Sequence, residues 1–91
     1  MRVFGHRGAA GHCPENTLAG VRHAIELGVD AVEIDVRLLD DGLIVLHDDT
    51  LDRTTSGHGS YKALSLGALR ALDAGGGERV PVLEEVIALT I

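Results

Sequence analysis

Apolar residues fall into runs whose spacing changes along the chain, and each spacing assigns an element. Residues 2–4 are a short apolar run ended by Gly5, the mark of a brief strand. Residues 8–14 mix glycine and proline with small side chains and read as a loop. Leu18, Val21, Ile25 and Leu27 recur at helical spacing. With Asn16 as N-cap and Gly28 just past the end, they predict a helix over 17–27. Over 31–39 the period changes: Val32, Ile34 and Val36 alternate with Glu33 and Asp35. That predicts a strand with one aliphatic face and one acidic face. Asp40-Asp41-Gly42 is a turn signal, and 43–46 is a further apolar strand.

Residues 48–61 are polar and read as a long loop. Ser65 stands where it can cap a short helix carrying Leu66, Leu69 and Leu72, and a glycine break follows over 74–77. Val80-Pro81-Val82 leads into an apolar-periodic helix over 83–89, with Leu83, Val86 and Ile87 toward one face. Strand, helix and strand in succession make a βαβ unit, which favours a parallel sheet with helices outside it. The last helix stops without a glycine or a basic last turn, and three strands offer it little surface to cover. An α/β barrel takes about 250 residues. The expected fold is therefore α/β, a TIM (β/α)8 barrel of which residues 1–91 form about the first third, the N-terminal portion of one domain.

Composition narrows the partners. Eight basic and 14 acidic residues leave a net charge of −6, which argues against nucleic acid. One cysteine, Cys13, excludes an intrachain disulfide framework and a CxxC metal clip. No run approaches the ~18 apolar residues of a membrane span, and residues 1–5 lack a leader's apolar core. A soluble, cytoplasmic protein is expected. Aromatic residues make up only 2% of the chain, so the core must come from Val, Leu, Ile and Ala. Five histidines invite a search for a site.

Glu33 and Asp35, two apart on one strand, point the same way about 7 Å apart. In a closed barrel that face is interior, where two like charges need a positive neighbour. A hard divalent cation, Mg²⁺ or Ca²⁺, suits two carboxylates with no thiolate nearby; an edge strand with its acids in water is the other reading. His6-Arg7 follows the first strand, and His47-Asp48 follows the third extended run. Sites in parallel α/β proteins assemble at the C-terminal strand ends. His6 and His47 are thus placed to act as general acid and base, and the Arg7 fork suits phosphate oxygens. Together with a cation, the set points to phosphoryl or phosphodiester chemistry.

Four segments carry a resemblance: His6-Arg7-Gly8, Pro14-Glu15-Asn16-Thr17, Glu33-Ile34-Asp35-Val36 and His47-Asp48. Leu51-Asp52-Arg53-Thr54-Thr55, Gly57, Val80-Pro81 and Leu83-Glu84-Glu85 extend it. Through essentially its whole length the chain resembles the glycerophosphodiester phosphodiesterase family. The resemblance implies a TIM-barrel hydrolase that cleaves glycerophosphodiesters to glycerol 3-phosphate and an alcohol, using Mg²⁺ or Ca²⁺. It implies His6 and His47 as the acid/base pair, Arg7 as phosphate ligand, and Glu33 and Asp35 as metal ligands. Glu15 is expected to support Arg7 or a metal-bound water, Asn16 to cap the helix, and Asp48 to fix its loop. His12, His23, His58 and Cys13 are read as structural. The family's third acidic ligand and phosphate-binding lysine lie on later strands, outside these residues. Low activity and self-association, or membership of a larger barrel, are therefore expected of the chain alone. Two alternatives stand: a sphingomyelinase D-like phospholipase, and a catalytically silent fragment that keeps a metal half-site.

Overall fold

The computed structural model describes residues 4–8, 11 and 13–91. The chain order is β1 (Phe4–His6), α1 (Leu18–Glu26), β2 (Ala31–Glu33), β3 (Val36–Leu39), β4 (Gly42–Val45), α2 (Leu66–Arg70) and α3 (Leu83–Thr90). A single 3₁₀ turn, Tyr61–Ala63, precedes α2. The first strand runs on to His6, past the Phe4 limit read from the apolar run; Arg2 and Val3 lie outside the described residues.

β1 and β2 pair in parallel, with Phe4 opposite Ala31, Gly5 opposite Val32 and His6 opposite Glu33. The connection between them contains α1, so the expected βαβ unit forms. Val21 and Ala24 of α1 are fully buried. Gly8 has a φ of +78°, and a Cβ there would lie 3.0 Å from the backbone of Gly20. Only glycine lets the turn after β1 sit so close to the helix.

Thr17, not Asn16, caps α1: its hydroxyl accepts the Gly20 N–H at 3.1 Å and donates to the Pro14 carbonyl at 2.8 Å. Asn16 adopts φ +53° and is committed elsewhere. A cap residue is extended, as Thr17 is, and a left-handed residue does not fill that position.

The single strand expected over 31–39 is two strands. At Asp35 the backbone N–H donates to the Asn16 side chain at 3.3 Å, and the carbonyl accepts from Leu46 N at 2.9 Å. Those bonds end the pairing with β1. β3 then turns back on β4 as an antiparallel hairpin, from Val36 opposite Val45 to Leu39 opposite Gly42. Val36 is consequently exposed rather than aligned with Val32 and Ile34, which pack beside Val21, Val45 and Val86. A second cluster gathers Ile44, Leu46, Leu51, Tyr61, Leu69, Ala74 and Val80. The polar stretch after β4 is thereby anchored, because Leu51 is fully buried within it.

Ser65 caps α2 as expected, accepting from Ala68 N at 3.2 Å. At α3, Val82 has no side-chain acceptor, but Glu85 folds back to accept the Val82 N–H at 3.1 Å. α3 buries Val86 and leaves Ile87 45% exposed, so only part of its expected apolar face is covered. Among the described residues, no helix is long and apolar enough to cross a membrane.

Candidate active site

The register of β1 and β2 assembles one half of the site. His6 and Glu33 end adjacent parallel strands, and His6 Nε2 lies 3.8 Å from Glu33 Oε1. Arg7 follows in a left-handed conformation with φ +52°. That unusual backbone turns its N–H onto Glu33 Oε1 at 3.1 Å, while Nε lies 3.5 Å from Asp35 Oδ2. Arg7 Nε is shielded from solvent and makes no well-directed hydrogen bond. Left-handed non-glycine residues cost conformational energy and concentrate at functional sites.

Asn16, the other such residue among those described, binds Asp35 twice, donating from Nδ2 to Oδ2 at 3.1 Å and accepting the Asp35 N–H on Oδ1. Its own N–H donates to the Arg7 carbonyl at 2.8 Å. Asn16 thus stitches the loop after β1 to the end of β2. The two acids expected to need a cation already meet Arg7 and Asn16.

The second half lies after β4. His47 Nδ1 and Asp48 Oδ1 are 2.7 Å apart, and the His47 carbonyl accepts from the guanidinium of Arg37. Arg53 joins the halves. Its Nε and Nη2 donate to Asp48 at 2.8 and 2.9 Å, and its Nη1 and Nη2 donate to Glu15 at 2.7 and 3.0 Å. Glu15 also lies 3.3 Å from Arg7 Nη1. The result is an alternating chain of charge: Arg7, Glu15, Arg53, Asp48, His47.

Hydrogen bonds from Arg53 and then His47 hold the Asp48 carboxyl far below the usual range, against an opposing effect of burial. The same guanidinium lowers Glu15, and both carboxylates raise Arg53 further. Sequence reasoning gave Arg53 no role. The signal was its place in the loop after His47-Asp48, but which carboxylates a loop arginine meets depends on how that loop folds.

Other positions stand apart. His58 pairs with Asp52 at 3.2 Å on an exposed turn, His23 is on α1, and Cys13 is half-buried in the loop before α1. His12 lies outside the described residues. No hydrogen bond or ion pair among the described residues joins His47 directly to His6, Glu33 or Asp35; the link runs through Arg53 and Glu15.

Glu33 and Asp35 offer hard oxygen donors, the type Mg²⁺ and Ca²⁺ take. Among the described residues, no group of three or more His, Cys, Asp or Glu side chains gathers for a metal. The pair fits one side of such a site and does not complete it. Beside it, Phe4, His6, Ala31, Val32 and Glu33 line an open depression.

A parallel βαβ unit with ionisable side chains gathered at the C-terminal ends of its strands defines an α/β protein whose site lies at those strand ends. The chain belongs to the glycerophosphoryl diester phosphodiesterase family, whose model matches residues 6–90. A glycerophosphodiester phosphodiesterase of Caldanaerobacter subterraneus is 47% identical over 96% of this chain. Glycerophosphodiester phosphodiesterase 1 of Homo sapiens is 37% identical over 97% of it. The crystal structure of a phosphodiesterase from Oleispira antarctica, in complex with the product sn-glycerol-3-phosphate, superposes with a TM-score of 0.92 at 42% identity over 98% of this chain. A glycerophosphodiester phosphodiesterase structure from Agrobacterium tumefaciens gives 0.89 at 42% identity. The chain spans 39% of the Caldanaerobacter protein and 39% of the Oleispira chain. Its fold is that of the N-terminal part of these TIM barrels, as expected from the sequence.

Proposed function

We propose that this chain supplies the N-terminal catalytic portion of a single barrel domain that hydrolyses glycerophosphodiesters to glycerol 3-phosphate and an alcohol. The observation that carries the reading is the convergence on Arg7. At the ends of two adjacent parallel strands, Arg7 meets Glu33 through its backbone N–H and Asp35 through its guanidinium, with His6 alongside. That is a compact set of groups for a phosphodiester. The product-bound Oleispira relative, similar over nearly the whole chain, supports the substrate class.

In this reading the phosphate enters the open depression beside His6 and Glu33, and Arg7 binds its non-bridging oxygens. His6 and His47 form the acid/base pair: one removes a proton from the attacking water, and the other protonates the departing alcohol oxygen. Asn16 keeps Asp35 aligned, and Glu15 keeps Arg7 aligned. Glu33 and Asp35 are the side chains that would hold Mg²⁺ or Ca²⁺, with further ligands from strands beyond these residues. When bound, such an ion supplies charge neutralisation for the phosphoryl oxygens. The lone cysteine accords with a reducing, cytoplasmic setting.

Release of glycerol 3-phosphate from glycerophosphocholine, assayed in the full-length protein with added Mg²⁺ or Ca²⁺, tests the reading. His6→Ala and His47→Ala should each lower kcat by roughly 10²–10⁴-fold and change KM much less. Arg7→Lys should not restore what Arg7→Ala loses, because lysine lacks the two-pronged fork. Wild-type turnover in His47→Ala would remove that histidine from the mechanism.

A further inference from the structure

Arg53 donates to two carboxylates at once. Four contacts of 2.7–3.0 Å use Nε, Nη1 and Nη2, two to Asp48 and two to Glu15. The arginine is the more exposed partner, with 50% of its side chain accessible against 23% for Asp48 and 14% for Glu15. It is the solvent-facing partner of both carboxylates, and each carboxylate also contacts a residue of the proposed site. Glu15 reaches Arg7 Nη1, and Asp48 reaches His47 Nδ1. A half-exposed ion pair adds little to stability, whereas paired fork contacts fix direction.

We propose that Arg53 is a positioning residue of this site, aligning Arg7 through Glu15 and setting the ring orientation and tautomer of His47 through Asp48. The inference rests on the reading of Arg7 and His47 given above. Its chemistry follows from proton accounting. An ionised Asp48 carries no proton, so it only accepts. At 2.7 Å the shared proton must then belong to His47 Nδ1. A neutral ring with its proton on Nδ1 keeps its lone pair on Nε2, the nitrogen left to act on substrate. Arg53 holds both oxygens of Asp48 in place. A lysine at this position supplies the charge but cannot serve two carboxylates through two forks.

The test uses the full-length protein as wild type and as Arg53→Lys, Arg53→Ala, Asp48→Asn, Glu15→Gln and His47→Ala. Histidine ¹⁵N spectra should show neutral wild-type His47 protonated on Nδ1, and both Arg53 variants should lose that preference. Arg53→Lys should lower kcat by about 10–100-fold, the usual worth of a group that orients a site residue, and raise KM as well. The two effects should separate in the neighbours: Asp48→Asn lowers kcat with little change in KM, and Glu15→Gln raises KM with little change in kcat. If Arg53→Ala does not fold, Arg53→Lys and the two carboxylate variants still decide. An unchanged tautomer with wild-type kinetics in Arg53→Lys overturns the proposal. Wild-type turnover in His47→Ala overturns the reading of His47 instead, while the nitrogen spectra still report whether Arg53 sets its ring.

Discussion

At the scale of single residues, the site is built by side chains that each serve two neighbours. Asn16 closes the loop after β1 onto Asp35 while holding a left-handed backbone that asparagine tolerates better than most residues. Asn16→Ala puts a less tolerant residue on that backbone and removes both bonds, so it should cost about 1–3 kcal/mol in urea unfolding. Glu15 and Asp48 show the same economy and carry a pH signature. Both are held below their ordinary values of 4.5 and 3.8. Carboxylates with depressed folded-state values stabilise the fold above their unfolded values, and that contribution is lost as pH falls through the folded ones. Unfolding free energy should therefore decline on acidification below about 4.5, where the unfolded glutamate begins to protonate. Removing Arg53 takes away the largest cause of each depression and leaves that of Arg7 on Glu15 and of His47 on Asp48. Arg53→Ala should flatten this acid dependence, and denaturation of both proteins from about pH 7 down to about pH 2 reads the difference.

Helix ends and strand ends decide how the elements meet. α1 begins at a buried threonine that bonds both forward to Gly20 and back to Pro14. Thr17→Ala should cost about 0.5–2 kcal/mol, toward the upper end because the hydroxyl is buried. α3 begins at a valine and relies on Glu85, which also pairs with Arg70 at 2.6 Å. Val82→Thr adds the missing acceptor and should stabilise by up to about 2 kcal/mol, measured in the same unfolding experiment. Strands β1 and β2 are three residues each, and their function lies in register more than in length. A one-residue slip would place His6 away from Glu33.

For the whole molecule, the β1–β2 pair, the β3–β4 hairpin and the outer faces of the helices leave apolar side chains uncovered. Phe4 is 62% exposed, Leu38 72% and Leu27 57%, with Ile25 and Ile87 near 45% on α1 and α3. Two-stranded sheets also leave unpaired edges. Residues 1–91 by themselves should self-associate at micromolar concentration, which sedimentation velocity will show. Joined to the remaining strands of a barrel, the same surfaces should be covered. Turnover should follow the same division: residues 1–91 alone should release little glycerol 3-phosphate even with Mg²⁺ or Ca²⁺, because Glu33 and Asp35 would supply only one side of the proposed cation site and no third acidic or histidine ligand gathers with them among the described residues.

Much of this protein was determined by sequence alone, because much of it depends on local periodicity and on what a residue type can do. The helical spacing of Leu18, Val21 and Ile25, the Ser65 cap and the polar residues closing each extended run are local properties, and they survive into the fold. The resemblance carried by His6-Arg7-Gly8, Glu15-Asn16, Glu33/Asp35 and His47-Asp48 likewise needed no coordinates to point to the family. Alternation could not show that the 31–39 strand breaks, because a strand ends where its backbone bonds go. At Asp35 those bonds go to Asn16 and Leu46, distant in the chain. Nor could residue type tell Thr17 from Asn16 as cap, since both are good caps and only the left-handed turn at Asn16 settles it. The joining of two half-sites through Arg53 was decided by tertiary structure alone, because it depends on where the folded 48–61 segment carries one guanidinium relative to Glu15, 38 positions away.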